Sequence, residues 1–204
     1  MTSVPDARLR GSVSQRVFDV LLRTLAEPGS IRMLPDEVRG RAIDEPLWLA
    51  LALADVDVTV SVGGEGGTEA EQLVHDATGA RIAPVPDADI VVMPTGQGSY
   101  LDEVRVGTPL APEQGARVAI GAAGLKSISS IPSALDSRCV AVTVSGPGVP
   151  GTRTIGVAGV RPEVFARLGT ASGTFPTGFD AWIFAPGGRV VAIPRSAIVE
   201  IERG

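Results

Sequence analysis

Arg195 and Pro194 stand side by side in the middle of RVVAIPRSAIVEI, Arg189 to Ile201. A guanidinium stays charged at any working pH and grips carboxylate or phosphate with two parallel hydrogen bonds. Proline has no N–H for a sheet ladder and belongs at edges, bulges and strand starts. The stretch therefore reads as two short strands, Val190 to Ile193 and Ala197 to Ile201, joined at a kink that carries a cation. Asp180 lies in a strand-like segment across the preceding hairpin, and a structural ion pair with Arg195 is the favoured reading. An anionic ligand and a neighbouring subunit are the other partners open to Arg195.

Other chemistry finds less support. Gly146-Pro-Gly-Val-Pro-Gly151 has dinucleotide-loop spacing after a strand, but a strand-like TRTIGV follows where a helix must begin. A constrained turn is the better reading. No Gly-Lys-Ser or Gly-Lys-Thr closes a P-loop. His75 and Cys139 are the only histidine and cysteine, too few for a zinc set. A serine triad would need His75 and a nucleophile elbow, and no G-x-S-x-G is present. Asp55 and Asp57 could hold magnesium but read more simply as a helix end and a strand start. No metal site is expected. Glu27 and Glu113 stand beside prolines at element ends, where solvation or capping is the ordinary role.

The chain's charge points away from nucleic acid. Net charge is −5 over 204 residues, with no basic cluster. Of the 18 basic residues, Lys126 alone is a lysine. One cysteine excludes an internal disulfide, and no apolar run reaches membrane-spanning length. A cytoplasmic location is expected, with no membrane and no nucleic-acid partner.

Periodicity supplies the frame around these residues. Ser12 to Gln15 has capping-box spacing, followed by Val13, Val17, Phe18, Leu21, Leu22 and Leu25 at helical intervals. Glu27-Pro28-Gly29 stops that helix. Ile31 to Leu34 suggests a short strand. Leu47 to Ala54 reads as a buried helix with Asp44 or Glu45 as cap, and Val58 to Val62 as a strand. Thr68 and Glu71 form a second capping box, on a helix closing at Gly79. Ile90 to Met93, Arg117 to Ala122 and Cys139 to Val144 read as strands, with Arg153 to Val157 pairing nearby. Gly107 to Ala116 is an ordered loop, and 124–137 a long connection or weak helix. Pro162 to Leu168 is a helix with Gly169 beyond its end. Phe179 to Phe184 and Arg189 to Ile193 form a hairpin turning at Pro186-Gly187-Gly188. Strands and helices alternate early and strands cluster late. The expected fold is α/β, a mixed sheet covered by helices. One domain over 1–204 is expected, with residues 1–11 a flexible N-terminus.

Several stretches, in order, resemble one family. They are FDVLLRTLAEPGSI from Phe18, LALALADVDVT from Leu49, GTPLAPEQGA from Gly107 and SGPGV from Ser145. Phe175-Pro-x-Gly-x-Asp180, Ala192-Ile-Pro-Arg-Ser196 and Val199-Glu200 complete the set and are the most specific. The family is PhnH, one component of the carbon–phosphorus lyase core complex. The resemblance implies a fold like the pyridoxal-phosphate transferases without the cofactor, and a homodimer that docks into a larger complex. It implies phosphonate breakdown with partner subunits G, I and L and, at a later step, the radical enzyme J. The first three act with this chain to exchange the adenine of a nucleoside triphosphate for an alkylphosphonate, giving a ribose 1-alkylphosphonate 5-triphosphate. The radical enzyme then cleaves the carbon–phosphorus bond. This chain would support the adenine exchange, with the I component as the main catalyst. The alternative is a homodimeric scaffold or a binder of a phosphorylated ligand.

Pyridoxal phosphate needs a Schiff-base lysine, and Lys126 falls where the family match fails. No cofactor is therefore expected. Asp19 stands where the family usually has arginine, Ser196 where it has threonine, and 124–137 is longer than usual. The expected ligand or interface site joins Glu27, Pro28 and Gly29, the loop from Thr108 to Glu113, and Asp180 with Arg195.

Overall fold

The structure is a computed structural model that describes residues 7–63, 67–97, 100–128 and 139–202. Among the described residues the α-helices are α1 (Gly11–Ala26), α2 (Leu47–Leu53), α3 (Gly67–Thr78) and α4 (Pro162–Ser172). The early strands are β1 (Arg32–Met33), β2 (Thr59–Val62), β3 (Arg81–Ile82), β4 (Ile90–Met93) and β5 (Arg117–Gly121). The later ones are β6 (Gly124–Ile128), β7 (Cys139–Ser145), β8 (Thr152–Ala158), β9 (Asp180–Ala185), β10 (Arg189–Ile193) and β11 (Ile198–Glu202).

These strands form two sheets rather than one. The larger has seven strands in the order β1-β10-β9-β5-β4-β2-β3. Strands β9, β5, β4, β2 and β3 run parallel, and β10 lies antiparallel between β9 and β1. The smaller is antiparallel, in the order β11-β7-β8-β6. The mixed α/β class holds; the second sheet is the addition.

Strand alternation explains the layering. Successive side chains point to opposite faces, so a sheet covered on both sides reads as a continuous apolar run. Along β9, Trp182 and Phe184 join a core with Val17, Leu21, Trp48 and Leu49 from α1 and α2. Ala181 and Ile183 join a second core with Val142, Ile155 and Val157 of the small sheet and Phe165 of α4. The layers are helices, large sheet, small sheet, with α4 packed on β11. Trp182 also ties sheet to helix, because its indole N–H reaches Leu21 O and Thr24 Oγ1, both at 3.2 Å.

Several local expectations are corrected. The cap of α1 is Arg10, without a side-chain bond, so Ser12 and Gln15 both lie inside the helix. Phe18 and Leu22 are exposed, and Val17, Leu21 and Thr24 are the buried residues of that helix. Ala7 is buried and Leu9 packs on the helical core. Pro46, not Asp44 or Glu45, precedes α2. Glu71 accepts a bond from Val62 N at 3.2 Å, tying α3 to β2. Gly169 lies inside α4. Residues 124–128 are strand β6, paired with β8, where a connection or weak helix was expected. The remaining residues of the 124–137 segment lie outside the described ones. Asp19 forms an exposed ion pair with Arg23 one turn on, at 2.7 Å.

Candidate functional site

Pro194-Arg195-Ser196 is the passage from one sheet to the other. β10 ends at Ile193 in the large sheet, and β11 begins at Ile198 in the small one. No ladder bond is required of Pro194 there, which accounts for a proline between two good strands. Asp180 opens β9 opposite Arg117 of β5. Its Oδ2 accepts Arg195 Nη2 at 2.9 Å, and its Oδ1 accepts Arg195 Nε at 3.3 Å and the Arg195 backbone N–H at 2.9 Å. Arg195 Nη1 donates to Pro112 O. The loop from Gly107 to Ala116 is thereby clamped to the sheet crossing. Gly115 is required here, because a Cβ would overlap Gly178 O and press on the Arg195 guanidinium.

A second knot lies at the turn after α1. Gly29 has φ +74°, and its N–H donates to Ala192 O at 3.2 Å. A Cβ on Gly29 would lie 3.2 Å from Arg153 Cβ. Arg153 Nη1 donates to Pro28 O at 2.8 Å. Gly146 and Gly148, in the β7–β8 turn, have φ of +113° and +81°. Gly148 backs onto Ala26 O and Pro28, and Gly146 onto Ser196 O. Glu27 is exposed and pairs with Arg32 at 2.8 Å. The Gly146–Gly151 motif is a turn between strands, as its composition implied.

Both knots sit at the amino-terminal edge of the parallel strands. Parallel sheets usually hold ligands at the opposite, carboxyl edge. There, Gly121 of β5 packs on Pro94 O with no room for a side chain. The structure joins Asp180 and Arg195 to the 107–116 loop, and joins Pro28 and Gly29 to β10 and β8. Thr108 and Glu113 are exposed; Thr108 Oγ1 accepts Ala111 N at 3.1 Å. No bond links Glu27 directly to Glu113 or Thr108 among the described residues.

Further along the same edge, Asp89 accepts Thr59 N at 2.9 Å and Thr59 Oγ1 at 2.7 Å, and binds Arg105 Nη2. Burial pushes the Asp89 carboxyl up. The Thr59 N–H and hydroxyl and Arg105 outweigh that and hold it below its ordinary value. No metal-holding group of His, Cys, Asp and Glu occurs among the described residues. Sequence reasoning did not single out Arg153 or Arg105. Arg153 acquires its partner from 125 positions away, and Arg105 its partners Asp89 and Gln114 only once β4 and the 107–116 loop are in place.

The stretches that carried the family resemblance are thus neighbours in space. Residues 9–200 match the family described as bacterial phosphonate metabolism protein (PhnH). The chain belongs to the PhnH family. No curated protein matches it significantly. Membership gives this PhnH chain a role in bacterial phosphonate metabolism. Among its described residues, no helix is long and apolar enough to cross a membrane. Lys126 of the PhnH chain is exposed on β6, an edge strand of the small sheet, with its stem along Gly156.

Proposed function

We propose that this chain is a cytoplasmic, homodimeric component of the carbon–phosphorus lyase complex, working with subunits G, I and J. In this reading it supports transfer of ribose triphosphate from ATP to an alkylphosphonate, with release of adenine. In this reading its fold resembles that of the pyridoxal-phosphate transferases, without the cofactor. The observation that carries the reading is the family match over residues 9–200. The role is supportive rather than catalytic, because Arg195 spends its donors on Asp180 and Pro112 inside the chain. Asp180 and Arg195 hold the 107–116 loop, while the exposed Glu27, Thr108 and Glu113 face a ligand or partner. Pro28 and Gly29 shape the neighbouring turn.

The test is growth with methylphosphonate as sole phosphorus source. A strain lacking the chain fails to grow, and the tagged chain restores growth and co-purifies with subunits G, I and J. Normal growth without it, or recovery only as a free dimer from phosphonate-grown cells, overturns the reading. The second outcome favours a scaffold or phosphorylated-ligand binder outside the complex.

A further inference from the structure

A groove of about 480 Å³ opens between the turn after α1 and the edge of the small sheet. Gly29 and Ser30 line one wall; Ser127 of β6 and Thr152, Arg153 and Thr154 of β8 line the other. The volume lies in the range of small-molecule pockets. No acidic residue is among those lining it.

Arg153 is the unusual member. The residue is half-buried, and its one hydrogen bond among the described residues goes to Pro28 O. Arg32, Arg105, Arg167 and Arg195 are also partly buried, and each faces a carboxylate. A guanidinium has five N–H donors, and holding one in place without a counter-charge is costly. Pro28 O and the close approach of Gly29 fix the stem and leave the remaining donors for an incoming group. Ser30 and Ser127 add hydroxyls with no side-chain hydrogen bond among the described residues, while Thr154, on the other face of β8, pairs with Thr143 at 2.9 Å.

We propose that this groove binds the oxyanion end of a small organic molecule carrying a phosphonyl or phosphoryl group, with Arg153 as its counter-charge. A rigid cation, two serine hydroxyls and no carboxylate suit a group that only accepts hydrogen bonds. The site lies beside the Arg195 clamp and is distinct from it. It adds a pocket to the functional reading above, and the choice of phosphonyl and phosphoryl ligands rests on that reading.

The experiment is calorimetric titration of the purified full chain with methylphosphonate, inorganic phosphate and ATP, outside any complex. At least one probe saturates at one per chain, and Arg153→Met, which keeps the apolar stem, weakens it at least about tenfold. Tighter binding of methylphosphonate than phosphate identifies a phosphonyl ligand; the reverse order, or preference for ATP, identifies a phosphoryl one. Ser127→Ala, on the neighbouring strand β6, weakens the same probe about threefold and serves if Arg153→Met does not fold. The proposal is overturned if no probe binds at about 10 mM, or if the folded variants bind as wild type does. Neither result moves the growth and co-purification outcomes that test complex membership.

Discussion

Arg195 meets Asp180 through both its guanidinium and its own backbone N–H, so one carboxylate fixes a side chain and the chain direction together. The side chains are 15% and 22% exposed, which places the pair between surface and interior. Surface pairs contribute little, whereas breaking a desolvated one leaves a stranded charge.

Arg195→Ala is therefore expected to destabilise the chain by about 3 kcal/mol. In a double-mutant cycle with Asp180→Ala, the combined loss falls short of the sum by about 1–3 kcal/mol. Urea denaturation measures both. Strict additivity would show that the pair is decorative.

Asp89 predicts an acid-sensitive edge. Its folded carboxyl is held below the unfolded value of about 3.9. The stability it contributes is present above that value and is lost as pH falls through the folded one. Asp89→Asn thus lowers the melting temperature at pH 7, and its deficit against wild type narrows below about pH 4. An equal deficit at pH 7 and pH 3 would contradict this.

Thr24 is buried between α1 and the sheet, where its hydroxyl donates to Leu21 O at 2.6 Å and accepts the Trp182 N–H. Thr24→Val keeps the shape and removes the hydroxyl, at an expected cost of about 1–2 kcal/mol. Trp48 and Trp182 are both buried, so unfolding followed by tryptophan fluorescence reads the loss directly. A neutral substitution would mean that Leu21 O alone satisfies the indole.

Gly148→Ala brings together two penalties, a φ of +81° and an overlap with Ala26 O. A loss of about 3 kcal/mol or more is expected, with poor soluble yield. Gly151→Ala, also at positive φ but with open space around its Cβ position, is the control. It loses only the backbone term, about 1 kcal/mol. Equal losses would show that the Ala26 approach is irrelevant.

Leu110 is 98% exposed at the tip of the 107–116 loop. Leu110→Asp should leave the unfolding free energy unchanged within about 0.5 kcal/mol. On the proposed reading it lowers co-purification with subunits G, I and J. Full recovery of the complex would remove the loop tip from the interface.

Periodicity and turn chemistry made much of this legible. The β9–β10 hairpin at Pro186-Gly187-Gly188, the buried α2 and strand β4 lie where their residues implied. So does the Asp180–Arg195 pair, because an isolated cation in an apolar strand demands a nearby carboxylate. Strand β6 was hidden because GLKSI has one buried side chain, Leu125, and gains its ladder only from β8. Phe18 and Leu22 misled because helical spacing shows that residues share a face, not that anything covers it. The second sheet was invisible because β11 and β7 pair across more than fifty residues of sequence. Arg153 was unreadable for the same reason: Pro28 O lies 125 positions away.

The passage at Pro194 also sets an order of events during synthesis. β11 covers the edge of β7, but it emerges from the ribosome after β6, β7 and β8 have all been made. Until then β7 presents an open row of backbone donors and acceptors, the kind of edge that recruits other chains. Folding of the small sheet is consequently a race between the arrival of its last strand and aggregation. The turn through Arg195 and Asp180 is the latch that brings that strand home.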